Sequence, residues 1–156
     1  MKTKTGYRIP DTGMFAAMSV VLLVSCGRAD WHLADERLNL AAGAAREDGF
    51  VPMRGPHNTF GTFSDAGSQT WRVHLDPHQP YFLAAACAPS CDSLNFEITD
   101  SNHDEVFGDT TAAPTPRLVF TPIEGNLRIT FKHGPCNGGG RCRWIAQVYE
   151  RRTAPQ

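Results

Sequence analysis

Apolar and polar residues alternate with a period of two through most of the chain after residue 57, and this pattern constrains the fold most. Neighbouring side chains of a strand point to opposite faces, so the alternation predicts strands with one buried and one solvated face. The alternating apolar sets are Trp71, Val73 and Leu75; Leu94, Phe96 and Ile98; Leu127, Ile129 and Phe131; and Trp144, Ala146 and Val148. Residues 81–86 are apolar at every position, which is typical of a strand at the centre of a sandwich.

Turn-forming residues divide the chain after residue 57 into short segments. Further strand candidates lie at residues 60–63, 106–107 and 118–120. Short stretches that contain glycine, proline or asparagine separate the candidate strands. Seven or eight short antiparallel strands at this spacing predict a mainly β protein, an antiparallel β-sandwich. The residues expected to form its single core are Trp71, Leu75, Phe82, Leu94, Phe96, Leu118, Leu127, Ile129 and Trp144.

The segment before the strands has a different composition. Residues 29–46 are rich in alanine, with leucines at helical spacing, and Asp30 is a candidate N-cap. Gly49 is placed to end a helix. We therefore expect one short helix before the sandwich. The expected divisions are a signal peptide over 1–25, a tether and helix over 26–55, the sandwich over 56–150 and a tail over 151–156.

The first 25 residues are typical of an export signal. Lys2, Lys4 and Arg8 precede a ten-residue apolar run at 15–24, which is too short for a transmembrane helix but fits a signal-peptide core. The run ends in Leu23-Val24-Ser25-Cys26, which resembles the lipobox of bacterial lipoproteins. That resemblance implies cleavage before Cys26, acylation of this cysteine and attachment to a membrane. The alternative is an ordinary secretory signal in which Cys26 is an incidental thiol.

The predicted cleavage before Cys26 also sets the expected localisation and the net charge of the mature chain. Gly27 follows the cysteine where an inner-membrane retention signal would have aspartate, so the resemblance implies the outer membrane. Loss of residues 1–25 leaves 12 basic and 15 acidic residues, a net charge near −3. No patch is basic enough to predict nucleic-acid binding, and no motif predicts a cofactor.

Residues 61–148 resemble the bacterial pre-peptidase C-terminal (PPC-like) domain, a jelly-roll-like β-sandwich. The matching pieces occur in the family's order: Gly61-Thr62-Phe63, then Tyr81-Phe82-Leu83, then residues 94–100, 116–121 and 125–129. Family members often carry Asp-Leu-Asp-Leu where this chain has Ser93-Leu94-Asn95-Phe96. This departure weakens the calcium binding that the resemblance would otherwise imply. Such domains usually accompany secreted proteases, and this sequence has no protease motif.

Four further cysteines predict two disulfides in an exported chain. Cys87 and Cys91 bracket one tight turn, and Cys136 and Cys142 bracket another, so local pairing is favoured over the two long-range pairings. The functional alternative is a Cys₄ zinc site, whose usual spacing fits the first pair and not the second.

Acidic loops supply the remaining candidate site. Asp100, Asn102 and Asp104 mimic the opening of a calcium loop, but Glu105 and Thr111 stand where an EF-hand needs glycine and glutamate. A polar hairpin turn, held by bonds from Asp100 and Asn102 to the local backbone, explains the same residues. The weak metal candidates are Asp92, Asp100, Asn102, Asp104 and Asp109.

The leading hypothesis is a non-enzymatic, membrane-anchored lipoprotein that acts as a binding or envelope-accessory module. Its expected partners are the membrane, through the anchor, and an envelope protein or a glycan. One alternative is a metal-assisted or hydrolytic enzyme that uses the loop acids from Asp100 to Asp109. The other is a calcium-dependent module that binds carbohydrate or protein.

Overall fold

The architecture is one helix followed by nine strands. The structure is a computed structural model that describes residues 18–64, 67–137 and 141–152, with the backbone alone for residues 18–30, 105 and 106. The elements are α1 (Met18–Glu47), β1 (Phe50–Pro52), β2 (Asn58–Phe63), β3 (Ser68–His74), β4 (Tyr81–Cys87), β5 (Leu94–Thr99), β6 (Glu105–Ala113), β7 (Arg117–Phe120), β8 (Asn126–His133) and β9 (Cys142–Arg151).

The strands form two antiparallel sheets, which confirms the predicted β-sandwich. The first sheet has the order β9-β4-β7, and β1 and β2 both pair with the other edge of β9. The second sheet has the order β3-β8-β5-β6. The sequence predicted seven or eight strands. The additional one, β1, lies in the segment expected to be tether, and it pairs with the end of β9.

The main core lies between the two sheets and contains most of the predicted residues. Burial alternates along β5, β8 and the first part of β9, as the period-two pattern predicts. Six predicted residues are buried in this core, and two, Trp71 and Leu118, are partly buried against it. The six are Leu75, Leu94, Phe96, Leu127, Ile129 and Trp144.

The prediction of a single core was wrong, because α1 creates a second one on the outer face of the first sheet. Phe82 belongs to this second core, together with Leu38, Phe50 and Tyr149. Strand β4 is buried along its whole length. Leu83 and Ala85 face the other sheet, whereas Phe82, Ala84 and Ala86 face the helix. The uninterrupted apolar run of β4 therefore follows from the helix on one side and the second sheet on the other.

The helix begins earlier than the sequence predicted. Because α1 already includes residues 18–29, Asp30 lies inside it and does not act as an N-cap, as had been predicted. Its C-terminus agrees with expectation: Gly49 has a φ of 80° and donates its amide to the Arg46 carbonyl at 3.1 Å. Glycine favours this left-handed conformation, because it has no Cβ atom to clash with the backbone.

The predicted export signal lies mostly outside the described residues. Outside the described residues lie the basic residues at 2, 4 and 8, the apolar run up to residue 17, the glycines at 138–140 and the tail beyond residue 152. Within the described ranges, no helix is long and apolar enough to cross a membrane.

Replacement of a core aromatic should cost far more stability than replacement of an exposed one. Phe96 is 1% exposed, so we expect Phe96→Ala to lower the free energy of unfolding by about 3–5 kcal/mol. Phe60 is 72% exposed and serves as the matched control, with an expected cost of about 1 kcal/mol or less. Urea unfolding followed by circular dichroism measures both. Equal costs would contradict the assignment of faces.

Candidate functional site

The four cysteines after Cys26 meet at one end of the sandwich. Cys87 is the last residue of β4 and Cys142 the first of β9, where Cys87 is paired with Trp144. Cys87 and Cys91 lie at disulfide distance, with Cα atoms 5.8 Å apart, as do Cys136 and Cys142, with Cα atoms 5.6 Å apart. These are the local pairs that the sequence analysis favoured. We call this part, with residues 87–93, 133–137, 141 and 142, the disulfide end.

Backbone and side-chain bonds join the two cysteine loops. Cys91 and Cys136 form an isolated β-bridge, and the Asn137 amide donates to the Ser90 carbonyl at 2.8 Å. The Asn137 side-chain amide also donates to the carboxylate of Asp92. Asp92, a weak metal candidate, therefore accepts a bond that holds the loops together.

His133 adds a nitrogen ligand beside the second cysteine pair, which the sequence analysis did not single out. A ring nitrogen of His133 and the sulfur atoms of Cys136 and Cys142 lie within 4.8 Å of one another, and Nδ1 is 3.7 Å from the Cys136 sulfur. A soft metal binds thiolates, and sulfur atoms joined in a disulfide are not thiolates. The ring of His133 stacks on Phe63 at 4.2 Å, and its Nε2 atom accepts a bond from the Gly67 amide at 3.3 Å. The sequence signal that could have identified His133 is the His-x-x-Cys spacing between it and Cys136.

The calcium-like segment is a polar turn at the opposite end of the sandwich. One oxygen of Asp100 accepts bonds from the amides of Asn102, at 2.8 Å, and Asp104, at 3.3 Å. His103 has a φ of 68°, as a tight turn requires. This arrangement agrees with a hairpin turn held by Asp100. Asn102 and Asp104 have exposed side chains.

Asp109 holds the loop between β6 and β7. One carboxylate oxygen accepts bonds from the amide of Thr111, at 2.9 Å, and from the Thr111 hydroxyl, and the other accepts from the Arg117 amide at 3.0 Å. Burial alone would raise the pKa of Asp109, but these hydrogen bonds outweigh it and lower the pKa below its usual value. Asp109 is therefore held in its charged form by donors from β6 and from the first residue of β7.

The structure does not bring the candidate acids together. In the described part of the chain, the group of three potential metal ligands that lie close to one another is His133, Cys136 and Cys142, and none of the acids belongs to it. Asp92 lies at the disulfide end, Asp100 at the opposite end, and Asp109 within strand β6, opposite Phe96 of β5. Separate parts of the domain therefore use these carboxylates, and no carboxylate centre forms among the described residues.

An open cleft of about 790 Å³ lies between α1 and strands β6 and β7 with their connecting loop. Arg37 and Arg117 contribute positive charge to it, and Leu40, which is 74% exposed, contributes apolar surface. Arg37 also donates to the Cys87 carbonyl at 2.8 Å, which fixes its guanidinium relative to the sheet. Asp109 adds a negative charge to the same lining, and three threonines add hydroxyl groups, so the cleft offers both donors and acceptors to a polar ligand. The threonines are Thr110, Thr111 and Thr115.

Comparison with known proteins gives no family. No protein-family model matches the sequence, and no curated protein matches it. A solved structure, a family two carbohydrate esterase from Cellvibrio japonicus, is 16% identical and has a TM-score of 0.34. The match covers 69% of this chain and 36% of the esterase chain, so this chain corresponds to about a third of that protein. At this TM-score the likeness supports no argument about activity.

Reduction of the disulfides should loosen the loops and leave the sheets intact. Each local bridge closes a small loop, so its loss should lower the free energy of unfolding by about 2 kcal/mol. The far-ultraviolet circular dichroism should not change, because burial of strand residues holds the sheets together. Peptide mapping without reduction tests the pairing directly. A peptide that joins Cys87 to Cys136 or to Cys142 would contradict it.

Asp109→Asn should destabilise the protein in a pH-dependent way. The folded-state pKa of Asp109 is lowered, so its contribution is present above the ordinary value of 3.8 and is lost as the pH falls through the folded-state value. We expect a cost on the order of 1 kcal/mol at pH 7, reduced by solvent screening, that disappears in acid. Urea unfolding across pH measures it. Asp104→Asn is the control, and an equal cost there would refute the role of Asp109.

Proposed function

We propose that this chain is a non-enzymatic bacterial lipoprotein, anchored through Cys26, whose sandwich serves as a binding or envelope-accessory module. The observation that carries the proposal is the continuity of α1. The helix passes through residue 26 and continues, without interruption, into the face that packs on the first sheet. The lipobox-like cysteine is thus joined to the domain by a helix.

The packed part of α1 lies within the proposed mature chain. Its buried residues Ala34, Leu38, Ala41, Ala42 and Ala45 all come after Cys26. Ala34 is eight residues from Cys26, or about 12 Å along a helix. Cleavage before Cys26 would therefore leave this packing intact and hold the domain close to the lipid. Two or three acyl chains, at about 0.8 kcal/mol for each buried CH₂, suffice for stable attachment.

The use of the loop acids supports a binding role over catalysis. Asp92, Asp100 and Asp109 each accept bonds from their own or a neighbouring loop. The enzyme hypothesis and the calcium-module hypothesis both need several carboxylates directed at one point, so the geometry favours neither. Ser90 has a hydroxyl that is buried without a hydrogen-bond partner among the described residues, so no base activates it there.

The proposed partners are an envelope protein or a glycan. The arginines, threonines and exposed Leu40 of the cleft supply hydrogen-bond donors and an apolar contact, which such ligands use. Gly27 after the cysteine supports sorting to the outer membrane. The similarity of residues 61–148 to PPC-like domains supports an accessory role for the sandwich.

The anchor is tested by the mass of the mature N-terminus. Expressed in a bacterial host, the full chain should give a membrane-bound protein that begins at Cys26 and carries a lipid adduct. Cys26→Ser should prevent the modification and release the protein from the membrane fraction. Ser25→Ala is the matched control, because it keeps a small residue before the cysteine and should be processed normally. A soluble wild-type protein that begins at Gly27 or Ala29 without lipid would overturn the proposal.

A further inference from the structure

The N-terminal part of α1 lies at the disulfide end of the sandwich. Trp31, the first helix side chain described, meets Phe60 of β2 edge to face, with ring centroids 5.5 Å apart. The guanidinium of Arg143, one residue after the start of β9, lies over the Trp31 ring at 5.2 Å. From there the helix runs along the sheet and ends at Glu47, next to β1, which pairs with the opposite end of β9. The N-terminal part of the helix therefore lies at the disulfide end of the domain, and its C-terminus lies at the opposite end.

Trp31, Phe60 and Arg143 form a surface that we call the aromatic edge. Phe60 lies opposite Ile145 in the β2–β9 pairing, and Ile145 packs in the helix-side core, so Phe60 projects from the same face of the sheet. Strand β2 is an edge strand, and Phe60 stays 72% exposed beside the helix. Exposed apolar patches mark interaction sites, and tryptophan is enriched where proteins meet the membrane–water interface.

The position of the aromatic edge relative to Cys26 identifies its partner. Trp31 is five residues after Cys26 in the same helix, which is about 7–8 Å along the axis. A tryptophan at this distance from an acylated residue lies at the depth of the lipid headgroups, where its amphipathic ring is favoured. Arg141, which is exposed, lies at the same end and attracts anionic headgroups.

We propose that the aromatic edge docks in the headgroup layer of an anionic phospholipid leaflet, so that the disulfide end faces the membrane. This inference rests on the proposed lipid anchor and adds the orientation of the domain. The acyl chains bury many more CH₂ groups than one phenylalanine and one tryptophan, so they supply the attachment, and the aromatic edge selects the side that turns to the lipid. The loops around Asp76, Asp100 and Ile123 then face away from the membrane and are open to a partner.

Two tryptophan probes at opposite ends test the orientation. Phe60 and Ile123 are both 72% exposed, and Ile123 lies on the loop before β8, at the end away from the cysteines. Phe60→Trp and Ile123→Trp are made in the full chain, and the lipid-modified proteins are reconstituted in vesicles of phosphatidylcholine and phosphatidylglycerol. Brominated acyl chains, which quench tryptophan on contact, are compared with unbrominated ones. Wild-type protein supplies the emission of the native tryptophans for subtraction.

The emission added at position 60 should fall to about half or less in brominated vesicles, because interfacial tryptophan meets the lipid chains. The emission added at position 123 should not change. Equal quenching at both positions, stronger quenching at 123, or none at 60 would overturn the orientation. The mass of the same samples separates the two proposals: an adduct on Cys26 without quenching at 60 refutes the docking alone. Absence of the adduct refutes the anchor and the docking together.

Discussion

The packing of α1 on the outer face of the first sheet is the contact on which the rest of the structure depends. Strand β4 is apolar on both faces, and one of these faces would meet water without the helix. The helix contributes small residues there, chiefly Ala41, Ala42 and Ala45, so its backbone approaches the sheet closely around Phe82 and Tyr149. Two cores thus share one central strand. The same contact fixes the direction in which the chain leaves the domain towards residue 26.

The disulfide end and the hydrophobic cores stabilise different parts of the molecule. The cores hold the strands together, because each apolar side chain that is removed from water adds to the hydrophobic stabilisation. The cysteine pairs close loops of only a few residues, and the β-bridge between Cys91 and Cys136 joins these loops to each other. His133 packs on Phe63 under the same loops. On the proposed orientation this is the end that rests against lipid.

Carboxylates in this domain shape loops. Asp100 closes a turn, Asp109 holds the β6–β7 loop beside the cleft, and Asp92 joins the two cysteine loops. Side-chain bonds to nearby amides use part of the hydrogen-bonding capacity of each of these acids where it stands. The surface of the domain includes a cleft lined by Arg37, Arg117 and Asp109 on one side, and an aromatic edge beside the predicted anchor on another.

The sequence by itself determined the strands, the sandwich and the end of the helix, because these follow from local properties. Alternation along β5 and β8 fixes which side chains turn inward, and Gly49 takes a backbone angle that other residues avoid. It also favoured the cysteine pairs that the structure places at disulfide distance. Only the tertiary structure decided that Phe82 packs under a helix, that His133 lies beside the cysteines and that the loop acids stay apart. The physical reason is that an apolar side chain is stabilised by packing against any apolar surface. In the same way, a carboxylate can accept a hydrogen bond from any donor within reach. Which surface or donor each one meets depends on how distant segments cross, and local sequence does not encode that.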